Sequence, residues 1–166
     1  PDDDGDGVND DEDQFPLDPM EIADFDGDGV GNVADIDDDN DGISDELEGT
    51  EDTDQDSVMN AYDSDSDNDG LFDLYENEQS VFDSNADGQI NELDVGFVDI
   101  DFNGMHDLSE LAEPIDTDGD GIMDAHSIDA DADGCFDVLE AGWVDLDSDG
   151  QLGASPVQVN YQGLVQ

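Results

Sequence analysis

Apolar residues in this sequence are scattered singly, and most recur at set offsets behind a fixed polar frame, D-x-D-x-D-G-Φ-x-[D/N]-x-x-[D/E], where Φ is apolar. Numbering the frame as places 1 to 12, places 7 and 11 lie four apart and places 9 and 12 three apart. One helical turn therefore sets an apolar pair on one face and the late acids on another. The pairs are Val30/Ala34, Ile43/Leu47, Val58/Tyr62, Leu71/Tyr75 and Cys135/Leu139. The elements predicted are short helical turns, each on a small apolar footing. Only the C-terminal end reads differently: after Pro156, Val157, Val159 and Tyr161 alternate with polar residues, a strand pattern. A lone strand is unstable in water, so it is expected to pair with the rest of the chain or with a neighbouring subunit.

The frame can be read ten times. The first copy is Asp2, Asp4, Asp6, Gly7, Val8, Asp10, Asp13; the second is Asp24, Asp26, Asp28, Gly29, Val30, Asn32, Asp35. The third has Asp37, Asp39, Asp41, Gly42, Ile43, Asp45, Glu48, the fourth Asp52, Asp54, Asp56, Ser57, Val58, Asn60, Asp63, and the fifth Asp65, Asp67, Asp69, Gly70, Leu71, Asp73, Glu76. The sixth offers Asp83, Asn85, Asp87, Gly88, Asn91, Asp94 and the seventh Asp99, Asp101, Asn103, Gly104, Met105, Asp107, Glu110. The eighth is Asp116, Asp118, Asp120, Gly121, Ile122, Asp124, with Ser127 at place 12, and the ninth is Asp129, Asp131, Asp133, Gly134, Cys135, Asp137, Glu140. The tenth keeps Asp145, Asp147, Asp149 and Gly150 but has Gly153 and Pro156 at the late places.

A longer period runs above this one. Residues 24–48 superimpose on 52–76 with an offset of 28, matching at Asn32/Asn60, Asn40/Asn68 and Glu48/Glu76 among others, and 116–140 repeats the two-loop block less perfectly. Such periodicity predicts a stacked array rather than a single globule. The expected fold class is an irregular, ion-organised tandem repeat over residues 1–153, with 154–166 as a C-terminal strand or linker.

Composition and charge then change the picture. The chain has 166 residues, 53 of them Asp or Glu, none Lys or Arg and two His, for a formal charge of −53. Two unit charges ~4 Å apart repel by ~4 kcal/mol at the effective dielectric of a protein surface. Leu, Ile, Val and Phe together make up about 23% of the chain, close to the level of disordered polyanions. Because the acids keep a frame instead of forming blocks, external cations are expected to complete the fold. The absence of basic residues excludes nucleic acid as a partner, and no apolar run approaches the ~20 residues of a membrane span.

The ligand chemistry follows from spacing. Carboxylates at places 1, 3 and 5 can converge on one point, Gly at place 6 permits a sharp turn, place 7 lends a carbonyl, and places 9 and 12 close the set. Many oxygens in flexible geometry suit calcium; without clustered Cys or His, zinc and copper are poor candidates. If each loop takes at least one ion, about 20 positive charges return to the chain, and shared carboxylates such as Asp35 and Asp63 extend that number. EF-hands need a helix on each side of the loop, yet the starts at 24/37, 52/65 and 116/129 lie 13 apart, leaving no room. The sixth copy alone, with Ile90 at place 8, looks locally like a dockerin or EF-hand loop and predicts a short helix through Asn91 to Val95.

These tandem blocks, closest to type at residues 35–43 and 63–71 and again at 133–142, resemble thrombospondin type 3 repeats, especially those of large bacterial surface proteins. The resemblance covers residues 1–153. It implies an extended calcium-filled wire with little regular secondary structure, serving as a stalk or adhesive segment outside the cell. Animal members brace their repeats with disulfides; this chain has a single cysteine, so calcium and small apolar contacts must do that bracing.

Cys135, at an apolar place, reads as a small buried hydrophobe, with an intermolecular disulfide as the alternative. His106 and His126 read as exposed loop residues, and Trp143 is expected to pack the last complete block with Phe136 and Leu139, carbohydrate stacking being the alternative. Ser57 in Asp56-Ser57-Val58 reads as a tolerated turn residue, a glycan there being the alternative. The start at Pro1, without an initiator Met, is expected of a processed product or a segment of something longer. No nucleophilic set, phosphate loop or cation that could stabilise a developing anion is present, so no enzyme is expected. The expected function is a calcium-binding extracellular or cell-surface structural module: the stalk of an adhesin, or a fibre subunit that self-associates through its C-terminal strand. The alternative is an extracellular calcium buffer or mineral-nucleating acidic protein.

Overall fold

The computed structural model describes residues 1–154, 158–160 and 162–164. Among these described residues, regular secondary structure is confined to single turns. Three are α-helical, α1 Asp45–Glu48, α2 Asp73–Glu76 and α3 Asp137–Glu140, and three are 3-10 turns at Asn60–Tyr62, Ser109–Leu111 and Asp124–His126. Five of the six begin at place 9, where the spacing predicts helix. No helix among the described residues is long and apolar enough to cross a membrane.

A four-residue helix does not hold by itself, so each turn depends on the loop before it. The closing contact is one backbone bond. The place-9 N–H donates to the carbonyl of the residue just before place 1, as in Asp45 to Ile36 (3.0 Å), Asp73 to Ser64 (3.0 Å) and Asp137 to Ile128 (3.1 Å). The same bond closes the first, second, fourth, seventh, eighth and tenth copies. Inside the loop the chain reverses through two left-handed residues. Place 6 has φ between 86° and 108° in all ten copies, Ser57 included, as expected of the frame's glycine. Place 4 is also left-handed in all ten, at 53° to 86°, although its residues are Gly, Asn, Gln, Ala, Phe and Ser.

The blocks stack in series. α1 packs on the 3-10 turn Asn60–Tyr62, and α2 packs on the 3-10 turn Asp124–His126, so blocks 24–48, 52–76 and 116–140 follow one another with 83–110 looped out between the last two. That looped segment docks sideways. Ile90 N–H donates to Asn40 O (2.6 Å) and Gln89 Nε2 to Asp39 O (2.9 Å), which seats the sixth loop on the third. The tenth copy repeats the contact one block on, with Leu152 N–H to Asn68 O (2.6 Å). The loops thus pack laterally as well as in series, whereas the resemblance implied an extended wire.

The core is small: Ile43, Ala61, Leu74, Ile90, Met105, Ala125 and Val138 are buried. Four of these, Ala61, Leu74, Ala125 and Val138, occupy place 10. The expected footing at places 7 and 11 does not form as pairs: of those residues only Ile43 is buried, and Leu47 and Leu139 are each 48% exposed. Residues 91–95 form turns rather than a helix. His106 is buried, not exposed, its ring 4.7 Å from that of Phe82 and 5.6 Å from that of Phe97, with Nδ1 2.8 Å from Val98 O. His126 is half-buried and Cys135 is half-buried and free. Trp143 is exposed instead of packed.

Among the described residues there is no strand, only isolated bridge residues such as the Asp145–Gly153 pair. Of the predicted C-terminal strand, Pro156, Val157 and Tyr161 lie outside the described residues, and Val159 is a single bridge residue. Beyond it the chain turns, Asn160 N–H donating to Leu164 O (3.0 Å). Gly163, at φ 80°, is buried so closely against the Asp63 carboxylate that a Cβ there would collide with it.

Candidate metal centres

Each acidic side chain has two oxygens; the loops use one of them at places 3 and 5, and commonly both at place 1, to hold the backbone. The place-5 side chain accepts the place-7 N–H in all ten copies, from Asp6–Val8 (2.7 Å) and Asp41–Ile43 (2.6 Å) to Asp149–Gln151 (3.2 Å). Place 3 accepts the place-5 N–H, as in Asp39–Asp41 (3.1 Å) and Asp67–Asp69 (3.0 Å). Place 1 reaches across the loop to the place-6 N–H, as in Asp37–Gly42 (3.0 Å) and Asp116–Gly121 (3.0 Å). Place 9 reaches back to place 2, as in Asp45–Asp38 (2.9 Å) and Asp73–Ser66 (2.9 Å). These are local side-chain to backbone bonds of the kind that compete with helix and strand.

At places 3 and 5 of four loops the second oxygen makes no hydrogen bond. Oδ2 of Asp39, Asp41, Asp67 and Asp69 is buried and unpartnered, as is Oδ2 of Asp4, Asp6, Asp54 and Asp56 in the less covered loops. Asp73 Oδ2, Glu76 Oε2 and both oxygens of Glu48 share that condition. A buried charge left without a partner is costly, and this chain has no Lys or Arg to supply one. Carboxylate oxygens gather within 4.8 Å of one another at Asp2/Asp4/Asp6, Asp24/Asp26/Asp28, Asp37/Asp39/Asp41 and Asp52/Asp54/Asp56, and also at Asp41/Glu48/Asp73. The donors are all hard, mobile oxygens, a set that fits a hard divalent cation.

Electrostatics grade the loops by depth. Burial, followed by the facing Asp41 charge, pushes Asp37 and Asp39 well above the ordinary carboxylate range. Burial raises Asp35 to about 7 and Asp63 to about 9, against opposing backbone hydrogen bonds from Asp37 and Asp65. Burial with the charges of Asp67, Asp69 and Asp65 raises Glu76 to about 11. These groups favour a proton, or a cation in its stead.

Not every predicted ligand turns inward. In the sixth loop Asp94 caps its own backbone, taking Ser84 N–H (2.6 Å) and Asn91 N–H (3.1 Å), while Asn85 Nδ2 donates to Asp87 Oδ2 (2.8 Å). In the seventh, Asn103 Nδ2 donates to Glu110 Oε1 (3.3 Å). In the eighth, Asp124 Oδ2 takes the Thr117 hydroxyl (2.6 Å). Two residues outside the frame's ligand places also matter. Asn40 and Asn68, both at place 4 and fully buried, leave Asn40 Oδ1 and both side-chain polar atoms of Asn68 without a hydrogen bond, and Asn40 Nδ2 contacts Asp26 Oδ2. Their match at an offset of 28 was the available signal. Half-buried His126 lies 3.1 Å through Nε2 from Asn60 Nδ2, and burial lowers its pKa.

Comparison with known protein families, curated proteins and solved structures gives no match.

Proposed function

We propose that this chain is a calcium-binding extracellular structural module of the thrombospondin type 3 kind, either the shaft of a surface adhesin or a subunit of an extracellular fibre. The observation that carries the reading is the division of labour within each carboxylate. At places 3 and 5 of the first, third, fourth and fifth loops, one oxygen sets the loop and the other is left buried and unpaired. Such loops are pre-shaped ligand cages. Oxygen-only donors at flexible geometry favour calcium over magnesium, which keeps its waters and demands an octahedron. The extracellular setting and the stalk-like role come with the resemblance.

Calcium depletion tests this. The chain in EDTA is expected to expand in small-angle X-ray scattering and to become sensitive to chymotrypsin, with both changes reversed by calcium; trypsin has no Lys or Arg to cut. Unchanged dimensions and protease resistance in EDTA would refute the structural reading. The exposed carboxylates of the eighth and ninth loops, Asp118, Asp120, Asp131 and Asp133, favour a second reading as a calcium buffer. Calcium uptake without any change of shape is the result that selects it.

A further inference from the structure

We propose that Asp41, Glu48 and Asp73 form a divalent-cation site that bridges blocks 24–48 and 52–76, drawing its ligands from both the third and the fifth loops. Asp41 and Glu48 come from the third loop and Asp73 from the fifth, yet one oxygen from each lies within 4.8 Å of the other two. All three side chains are buried, Glu48 being only 4% exposed. Both Glu48 oxygens, Asp41 Oδ2 and Asp73 Oδ2 make no hydrogen bond. The remaining Asp41 and Asp73 oxygens are engaged by Ile43 N–H and Ser66 N–H, so each residue is oriented with one oxygen toward the cluster.

Glu48, at place 12 of the third loop, therefore serves as a clasp to the following block. An ion held there links residues far apart in sequence, which a cage confined to one loop does not do. This proposal rests on the calcium reading above and adds to it one bridging ion.

The decisive experiment is anomalous diffraction from crystals of the full chain grown with calcium and with terbium as the stronger scatterer. The expected result is a peak bonded to carboxylate oxygens of Asp41, Glu48 and Asp73, at about 2.3–2.6 Å for calcium. Peaks confined to the cages, such as Asp37/Asp39/Asp41, with none shared with Asp73, overturn the bridge and leave the calcium reading intact. No peak at any loop overturns both. In solution, Glu48→Gln and Asp73→Asn are each expected to bind one calcium fewer than the parent in equilibrium dialysis. An unchanged ion count refutes the bridge; a variant that fails to fold leaves the decision to the diffraction arm on the parent chain.

Discussion

The fifth and ninth loops share one frame and one backbone, yet occupy opposite environments. Both close through the place-9 bond, both have a left-handed residue at place 4, and both end in a four-residue helix. In the fifth, Asp65, Asp67, Asp69 and Asp73 are buried, the last two completely; in the ninth, Asp131 and Asp133 are exposed. Loop shape is therefore local, written into the spacing of acids and turn residues. Burial, and with it the cost of leaving a carboxylate unpaired, belongs to position in the stack. The fifth loop has α1's block before it, the eighth copy after it and the tenth copy's Leu152 on its flank; the ninth has fewer neighbours. The same ligands should hold an ion strongly in the middle and weakly at the margin.

The largest test of this contrast is pH in the absence of metal. Burial, the first cause at each group, raises Asp69 to about 6, Asp35, Asp41 and Asp54 to about 7, Asp26 and Asp38 to about 8, Asp63 to about 9 and Glu76 to about 11. Their ordinary values are 3.8 for Asp and 4.5 for Glu. The folded chain then holds more protons than the unfolded one, so stability is full below about pH 4 and falls as pH rises through 6 to 11. In EDTA, scattering should show a compact chain at pH 4 that expands toward pH 9. The fluorescence of Tyr62 and Tyr75, near the middle, should change with it. Compaction on raising the pH contradicts the burial gradient.

Neutralising single ligands in calcium is the next test. Asp41→Asn and Asp69→Asn each remove one member of a buried ionic set and should cost about 3–5 kcal/mol, lowering Tm by roughly 6–20 °C. Asp120→Asn and Asp133→Asn, in exposed loops, should cost under about 1 kcal/mol. Equal losses on calorimetry would erase the distinction between middle and margin.

Apolar packing gives a smaller contrast. Leu74→Ala, fully buried at place 10, should cost about 2–5 kcal/mol; Leu139→Ala, half exposed at place 11, should cost under about 1 kcal/mol in the same denaturant titration. Smallest of all, Ala132→Gly in the exposed ninth loop relieves a left-handed alanine at φ 53° and should gain about 0.5–1 kcal/mol. A loss at that position would show that the loop is not held in this conformation.

Much of the site was legible before any coordinates. The acids at places 1, 3, 5 and 9 and the glycine at place 6 mark the loops, and the three-residue step from place 9 to place 12 marks the turns. What the pattern concealed has physical causes. Place 4 is left-handed but occupied by six residue types, because the backbone bonds to places 1 and 3 impose the conformation whatever the side chain; only Gly5, Gly27, Gly119, Asn40 and Asn68 hinted at it. Place 10 carries four of the buried apolar residues, three of them, Ala61, Leu74 and Ala125, on turns that pack against a neighbouring turn. Ala61, Leu74, Ala125 and Val138 recur there, but two of them are alanines and draw little notice. His106 is buried by Phe82 and Phe97, residues that lie outside the frame. The C-terminal strand rested on three alternating residues, of which only Val159 lies among those described, as a single bridge residue.

The closing bond of each loop also has a mechanical side. The place-9 N–H and its acceptor lie nine residues apart, so each closed loop stores a length of chain behind one hydrogen bond and the groups gathered inside it. Under tension along the chain, opening one loop would release roughly 25 Å, nine residues at about 3.3 Å each less the short distance already spanned. Nine loops carry that closure, and the exposed ones at the margin would yield before the buried pair in the middle. A pulled molecule would lengthen stepwise from its margins and rewind as the loops closed again, as a shock absorber does.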